Sequence, residues 1–463
     1  MKRRWIAALT SFLILTVLTP PMKALGNQGW EETDRGMAYL KEDGSQARNE
    51  WIKEETGWYY VKKNGVAATE DDGWVTVEGK RYRFDAEGVM MTGWQEIGSS
   101  LYYLDPHSGA PLTGWNYLAL NTTDESQYLH EEGINELGWF WFDSRGVCYR
   151  KNASKKINGR YYYFDKNGMM LYGWVYTGSD SNALEEEIYR EGLSGRIDQY
   201  VFCGAPEDGA RKEGWIYTMA PQTVDDSGDL CYFYLDKGRA RSIWDSDGSG
   251  SFRSLRLLRF APIIEEESGK GLFYRCDING KYYAFDYRGA MQEGLFPCYD
   301  EDGNLIGSYY FETETGEMAL GKNAKVTESE EPGQSYYFKE SGDNRGMGIT
   351  GIRENTLYYA GKRQEAQDAD YTVISYPEDL TAPHETRYVT CIVDKKGRVQ
   401  KKTGKKYETD NLGDVILFKT GTTLQVYAYA DSKKREDYVG AEPLIGDMED
   451  CSDYLDALRE PEW

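Results

Sequence analysis

Along the first half of the chain, short runs of alternating aromatic and polar residues are separated by turns rich in Asp and Gly. Arg81-Tyr82-Arg83-Phe84-Asp85, Leu101-Tyr102-Tyr103-Leu104-Asp105 and Tyr161-Tyr162-Tyr163-Phe164 are such runs. A period of two with this aromatic enrichment predicts strands with one face buried. A turn follows at once, as in Asp85-Ala86-Glu87-Gly88, Asp143-Ser144-Arg145-Gly146, Asp165-Lys166-Asn167-Gly168, Asp286-Tyr287-Arg288-Gly289 and Asp394-Lys395-Lys396-Gly397. Asp starts such turns through its side chain, and Gly accepts the positive φ that closes them. A short apolar stretch comes next (Val89-Met90-Met91, Met169-Met170-Leu171, Ala290-Met291), and a Gly-Trp pair then opens the following unit.

Trp51, Trp74, Trp94 and Trp115 occupy this opening position, separated by 23, 20 and 21 residues. Self-similarity at a short fixed period marks a stacked repeat architecture. One hairpin of this length has too little apolar surface to be stable alone. Stacking lets each Trp and Tyr pack against the neighbouring units, and each buried ring removes on the order of 150–250 Å² from water. The predicted fold class is all-β: a repeat solenoid of stacked β-hairpins with irregular insertions and a short acidic C-terminal tail.

Insertions at 116–137, 175–199 and 218–230 separate a tryptophan from its partner strand, and the pattern lapses over 241–270. It resumes at Gly280-Lys281-Tyr282-Tyr283-Ala284-Phe285-Asp286, Ser308-Tyr309-Tyr310-Phe311 and Ser335-Tyr336-Tyr337-Phe338. There Gly294-Leu295 and Gly351-Ile352 take the Gly-Trp place. The expected organisation is a signal peptide at 1–26, an aromatic hairpin solenoid at 27–240 and an irregular connector at 241–270. Degenerate hairpin repeats at 271–405 and an end segment with an acidic tail at 406–463 complete it.

Residues 1–26 read as an export signal: Lys2-Arg3-Arg4, an apolar stretch from Trp5 to Thr19, and small residues in Ala24-Leu25-Gly26. An uncleaved N-terminal anchor is the alternative. No other run is apolar enough to span a bilayer, so a secreted or cell-surface location is expected, without a membrane span after cleavage. The net charge is −23, or −27 once the four cations of residues 1–26 are removed. Such an acidic chain disfavours nucleic acid and anionic membranes as partners. Seven scattered cysteines form no metal or redox motif, and those beside aromatic strands (Cys148, Cys231, Cys276) read as small buried hydrophobes.

The three histidines, His107, His130 and His384, have no ligand-like spacing, and no nucleophile elbow, zinc-protease helix or phosphate loop is present. No cofactor or metal is implied. Asp245-Ser246-Asp247-Gly248-Ser249-Gly250 begins like a calcium loop, but Arg256 stands where a bidentate Glu is needed. A solvated turn fits it better. No catalytic residue is assigned; an enzyme would need a hidden site within 175–270 or 365–463.

The order Gly-Trp, spacer, Tyr-Tyr-Phe-Asp, Gly, Met, Gly-Trp resembles the cell-wall-binding repeats of Gram-positive surface proteins, over roughly residues 45–405. That family includes choline-binding modules, glucan-binding repeats of glucosyltransferases and receptor-binding repeats of clostridial toxins. The resemblance implies hairpins stacked into a solenoid, with ligands in grooves between them. Choline-binding members cage a quaternary ammonium with aromatic faces, a cation–π interaction. The best match here is Trp51, Trp58 and Tyr59 with Trp74, but Arg81 and Leu101 replace the Trp58 ring in the next two repeats. The Tyr-Tyr-Phe-Asp form is closer to the glycan-binding branch, where rings stack on sugars.

The expected ligand-binding residues are therefore Trp51, Trp58, Tyr59, Trp74, Tyr82, Trp94, Tyr102, Trp115, Trp139, Trp174 and Trp215. The expected partner is a cell-wall polymer or extracellular glycan, with choline a further candidate. For any one ring, packing is the alternative to ligand contact. A structural or protein-interaction role without glycan is the alternative to the whole reading.

Overall fold

The computed structural model describes residues 28–120, 137–178, 183–184, 195–245, 257–261, 263–264, 269–328, 331–342, 344–378 and 387–446. Residues 1–26, His130, His384, Cys451 and the calcium-like stretch after Asp245 lie outside these. The described residues form strands, turns and three single-turn 3-10 helices, with no α-helix. The contacts divide the chain into two compact units, residues 1–150 and 151–463.

The first unit is a stack of antiparallel hairpins: Gly29–Thr33 with Gly36–Leu40, Glu50–Glu54 with Gly57–Val61, Val75–Val77 with Lys80–Tyr82, Gly93–Ile97 with Ser100–Leu104, and Gly114–Ala119 with Leu137–Phe142. Backbone hydrogen bonds clasp one hairpin to the one before it. Ala67 N donates to Met37 O, Met90 N to Trp58 O and Cys148 N to Leu101 O, at 2.7–2.8 Å. In each case the donor follows a turn, and the acceptor sits in the second strand of the preceding hairpin.

The same clasp recurs in the second unit, where Arg211 N donates to Tyr161 O, Met291 N to Tyr232 O and Met318 N to Tyr282 O. Its hairpins begin with Ser154–Ile157 and Arg160–Tyr163, followed by Gly173–Tyr176 with Tyr200–Cys203 and Gly214–Met219 with Leu230–Asp236. Further along, hairpins join edge to edge into three five-stranded sheets. The first of these takes in the short strand Leu257–Arg259, and the last ends at Thr423–Ala428. The strands here are longer, up to eight residues in Gly413–Thr420, and richer in aliphatics. One cluster of that last sheet is Val373, Ile392, Tyr407, Val415, Leu417 and Val426.

The turns are built as the Asp-to-Gly spacing predicts. Asp165 Oδ1 accepts from the backbone N–H of Asn167 and Met169 at 2.9 and 2.8 Å, and Asp286 Oδ1 from Arg288 and Ala290 at 2.9 Å each. Asp286 is buried, and that burial pushes its carboxyl above the ordinary range against the pull of the Arg288 guanidinium. The closing glycine has a packing role as well. Gly109 has φ +70°, and a Cβ there would lie 2.3 Å from Met90 Sδ. Gly209 meets Met170, Gly316 meets Met291 and Gly346 meets Met318 in the same way. Each thioether therefore fills the space under the following turn.

Candidate functional site

Register sorts the aromatic residues into two classes. In the second strand of each hairpin, the run begins Trp58-Tyr59-Tyr60, Arg81-Tyr82-Arg83, Leu101-Tyr102-Tyr103, Trp139-Phe140-Trp141, Tyr232-Phe233-Tyr234 or Tyr282-Tyr283-Ala284. Successive side chains point to opposite faces. The middle residue turns back onto the tryptophan of the preceding hairpin. Trp30 meets Tyr59 at 5.0 Å between ring centroids, Trp51 meets Tyr82 at 4.8 Å and Trp74 meets Tyr102 at 5.0 Å. Trp94 meets Phe140 at 4.9 Å, Trp174 meets Phe233 at 5.4 Å and Trp215 meets Tyr283 at 4.9 Å. This recurrent, mostly edge-on contact is the mortar of the stack.

The first and third residues of the first five of these runs lie on the face that carries the hairpin's own tryptophan. There they form cross-strand pairs: Trp51 with Tyr60, then Lys53 with Trp58. Trp94 pairs with Tyr103 and Trp115 with Trp141; Trp215 pairs with Tyr234.

The eleven expected residues divide accordingly. Tyr82, Tyr102 and Trp174 are buried, and their rings serve the packing class. Tyr59 is half-buried and faces Trp30, on the opposite side of its strand from Trp58. The suggested grouping of Trp51, Trp58, Tyr59 and Trp74 is thus split. Trp51 and Trp58 stand edge-on at 6.4 Å, whereas Trp74 packs with Tyr102 of its own following hairpin. Trp51, Trp74, Trp94, Trp115 and Trp139 are half-buried; Trp58 and Trp215 are exposed.

What faces these rings differs from one hairpin to the next. The Arg81 guanidinium lies 4.6 Å from the Trp74 ring centroid and donates to the carbonyl of Arg145. Lys53 Nζ lies 5.2 Å from the Trp58 ring. In the second unit the Arg196 guanidinium covers Trp244 at 4.4 Å, and Trp244 Nε1 donates to Tyr287 O at 3.0 Å. At these rings the cation–π partner is supplied by the chain itself.

Two hairpins depart from this arrangement. Gly114–Ala119/Leu137–Phe142 and Gly214–Met219/Leu230–Asp236 carry strands of six or seven residues, longer than the preceding hairpins of their own units. In both, the pair beyond the tryptophan is aromatic on both strands: Tyr117 with Trp139 at 5.3 Å, and Tyr217 with Tyr232 at 4.6 Å. Tyr117 is 54 % and Tyr217 56 % exposed. Each hairpin is braced from behind by the preceding indole: Trp94 Nε1 donates to Ala119 O at 2.8 Å and Trp174 Nε1 to Met219 O at 2.9 Å. Tyr117, Tyr217 and Tyr232 were not among the expected residues. The signal for the first two is a Trp-x-Tyr spacing (Trp115-Asn116-Tyr117, Trp215-Ile216-Tyr217), which alternation places on one face.

No group of His, Cys, Asp and Glu among the described residues could hold a metal ion. Cys203, Cys298 and Cys391 are buried, and burial pushes their thiols up to about 12, which leaves them inert at neutral pH. Cys148 and Cys276 are buried, while Cys231 is half-buried. No helix among the described residues is long and apolar enough to cross a membrane.

Comparison with known proteins agrees with this architecture. The family described as Choline-binding repeat matches residues 72–114 and 152–183, and the Putative cell wall binding repeat matches residues 49–67. Over these segments the chain carries repeats of the choline-binding and cell-wall-binding type. Glucosyltransferase-I of Streptococcus downei is 25 % identical over 311 residues, 65 % of this chain and 17 % of that protein. Glucosyltransferase-S of Streptococcus mutans is 24 % identical over 354 residues, 70 % of this chain and 21 % of that protein. The chain thus spans about a fifth of the length of these relatives. Among solved structures, choline binding protein F of Streptococcus pneumoniae, determined in the presence of a peptidoglycan analogue, aligns with a TM-score of 0.36 at 16 % identity. That alignment covers 78 % of this chain and 96 % of the other.

Proposed function

We propose that this chain is an exported, non-catalytic binding protein that attaches to the cell wall or to an extracellular glycan through aromatic pairs on its stacked hairpins. The carrying observation is the recurrence of a tryptophan-bearing face at one register in hairpin after hairpin, with Trp58 and Trp215 left exposed. A repeat stack that needed its rings only for packing would bury this face as it buries Tyr82, Tyr102 and Phe140. The repeat matches support wall attachment, and the glucosyltransferase likeness supports a glucan as one kind of ligand.

Several modest sites on one stack add through avidity. In a pull-down on purified Gram-positive walls, Trp58→Ala is expected to weaken retention by less than about tenfold. The triple substitution of Trp58, Trp139 and Trp215 by Ala is expected to remove it. Complete loss on Trp58→Ala alone, in a protein that still folds, contradicts the multivalent mechanism. No retention of the unaltered protein contradicts wall attachment itself.

A further inference from the structure

We infer that the two extended hairpins, Gly114–Ala119/Leu137–Phe142 and Gly214–Met219/Leu230–Asp236, are platforms for a neutral glycan chain, carried on the strand face beyond the packed tryptophan; the second adjoins the cleft between it and the following hairpin. This rests on the glycan reading above and names the surface and the ligand class. On one face of the second hairpin the cross-strand pairs run Met219–Leu230, Tyr217–Tyr232 and Trp215–Tyr234. Glu213 and Asp236 stand one step further out. The face is therefore a track about 20 Å long, apolar at one end, aromatic in the middle and carboxylate at the other. Met219, Leu230, Tyr217, Tyr232 and Trp215 are all exposed. A run of large exposed side chains on a hairpin braced by a buried indole is a surface kept for contact.

The carboxylate end opens into a cleft of about 670 Å³ whose lining includes Glu213, Asp236, Asp277, Arg241, Arg275 and Tyr234. Tyr234 belongs to both the track and the cleft. Arg241 Nη2 holds Asp236 Oδ2 at 2.9 Å, and Lys237 N donates to Glu213 Oε2 at 2.7 Å, so these carboxylates are fixed in place. Three carboxylates against two guanidinium groups leave the cleft close to charge balance, with acceptors and donors side by side. A sugar offers an apolar C–H face and a rim of hydroxyls that both donate and accept. The rings suit the first, and the mixed cleft suits the second. An anionic polymer would meet the carboxylate pair and a chain of net charge −23.

The first unit repeats the aromatic part of the track. Trp115–Trp141, Tyr117–Trp139 and Ala119–Leu137 occupy one face, with Leu137 exposed as well. The four preceding hairpins of the first unit break it at the second pair, which reads Glu32–Met37, Lys53–Trp58, Thr76–Arg81 or Glu96–Leu101. The Tyr176–Tyr200 pair is aromatic but buried. Among the described residues, the exposed double aromatic pairs beyond a tryptophan fall on these two hairpins, each longer than the hairpins before it in its unit.

Affinity electrophoresis and calorimetry with soluble dextran, with choline chloride as the contrast, test this. The unaltered protein should bind dextran. Tyr217→Ala with Tyr232→Ala should weaken that binding about tenfold, as should Tyr117→Ala with Trp139→Ala, since each stacked ring contributes modestly. All four together should abolish it, with near-ultraviolet circular dichroism and thermal midpoint showing the fold intact. Dextran binding that survives the fourfold variant, or falls only with Trp58→Ala, overturns the platforms. So does dependence of choline rather than dextran on these tyrosines. If the unaltered protein is retained by walls yet ignores dextran, the platform inference fails and wall attachment stands.

Discussion

Arg81 occupies the register place that Trp58 holds one hairpin earlier, and it fills with its own side chain the ring face that a ligand cation would use. Its guanidinium lies 4.6 Å from the Trp74 ring and is anchored at the far end on the Arg145 carbonyl. A tethered cation acts at an effective concentration that a free one reaches only in the millimolar range or above. The Trp74 face is therefore closed to quaternary ammonium compounds. Arg81→Ala should uncover it: calorimetric titration with choline should show one more weak site than the unaltered protein, at a cost to stability of about 0.5–1 kcal/mol. An unchanged stoichiometry would mean that Arg81 is an ornament of the surface and not its plug. The arginine was visible in the sequence as a break in the aromatic pattern. Its placement over Trp74 was not, because that depends on cross-strand register, with Thr76 opposite Arg81.

The hairpin is the element that the alternating pattern encodes most openly. Asp-to-Gly turns and the tryptophans that open the earlier hairpins fall where the spacing places them. The ring faces were harder to read. In Tyr-Tyr-Tyr or Trp-Tyr-Tyr runs every position is aromatic, so the residue that packs and the one that shows are decided by register alone, and a one-residue slip would exchange them. In Tyr232-Phe233-Tyr234 the middle ring is buried and Tyr232 is exposed; Tyr82 and Tyr102, expected to bind ligand, are likewise the buried middle residues of Arg81-Tyr82-Arg83 and Leu101-Tyr102-Tyr103. The turns themselves are open to a direct test. Asp105 Oδ1 accepts from Ser108 N at 2.7 Å and His107 N at 3.2 Å, and the Ser108 N–H holds its carboxyl below the ordinary range. A depressed carboxylate stabilises the fold above the pKa of the unfolded chain, about 4, and loses that contribution as pH falls through the folded value. Asp105→Ala should therefore cost about 0.5–1 kcal/mol at pH 7, at the modest end because the turn is solvent-accessible. In urea unfolding followed from pH 7 to pH 2, the gap between variant and unaltered protein should close on the acid side. A gap of constant size would show that the charge of Asp105 does not hold the turn.

At the scale of the whole molecule, hairpins that meet mainly their chain neighbours make stability a sum of local parts and shared faces. The parts are unequal. The Val75–Val77/Lys80–Tyr82 hairpin has three-residue strands in a two-stranded sheet, and its tryptophan is shielded in part by a surface arginine. The sheet built on Tyr371–Pro377 and Gly413–Thr420 has five strands over an aliphatic cluster of Val373, Ile392, Val415, Leu417 and Val426. Backbone amides open by local unfolding in proportion to what packs on them. Amide hydrogen exchange should accordingly be slowest in Val415, Ile416 and Leu417, and faster by at least an order of magnitude in Val75 to Tyr82. Equal protection at both places would require one global opening step, and stability could not then be a sum of local hairpin terms. The unequal outcome has a functional side. Under the attachment proposed above, ring faces carried on less protected hairpins would adjust to a polymer at little cost to the five-stranded sheet, so the repeats that bind need not be those that hold the chain folded.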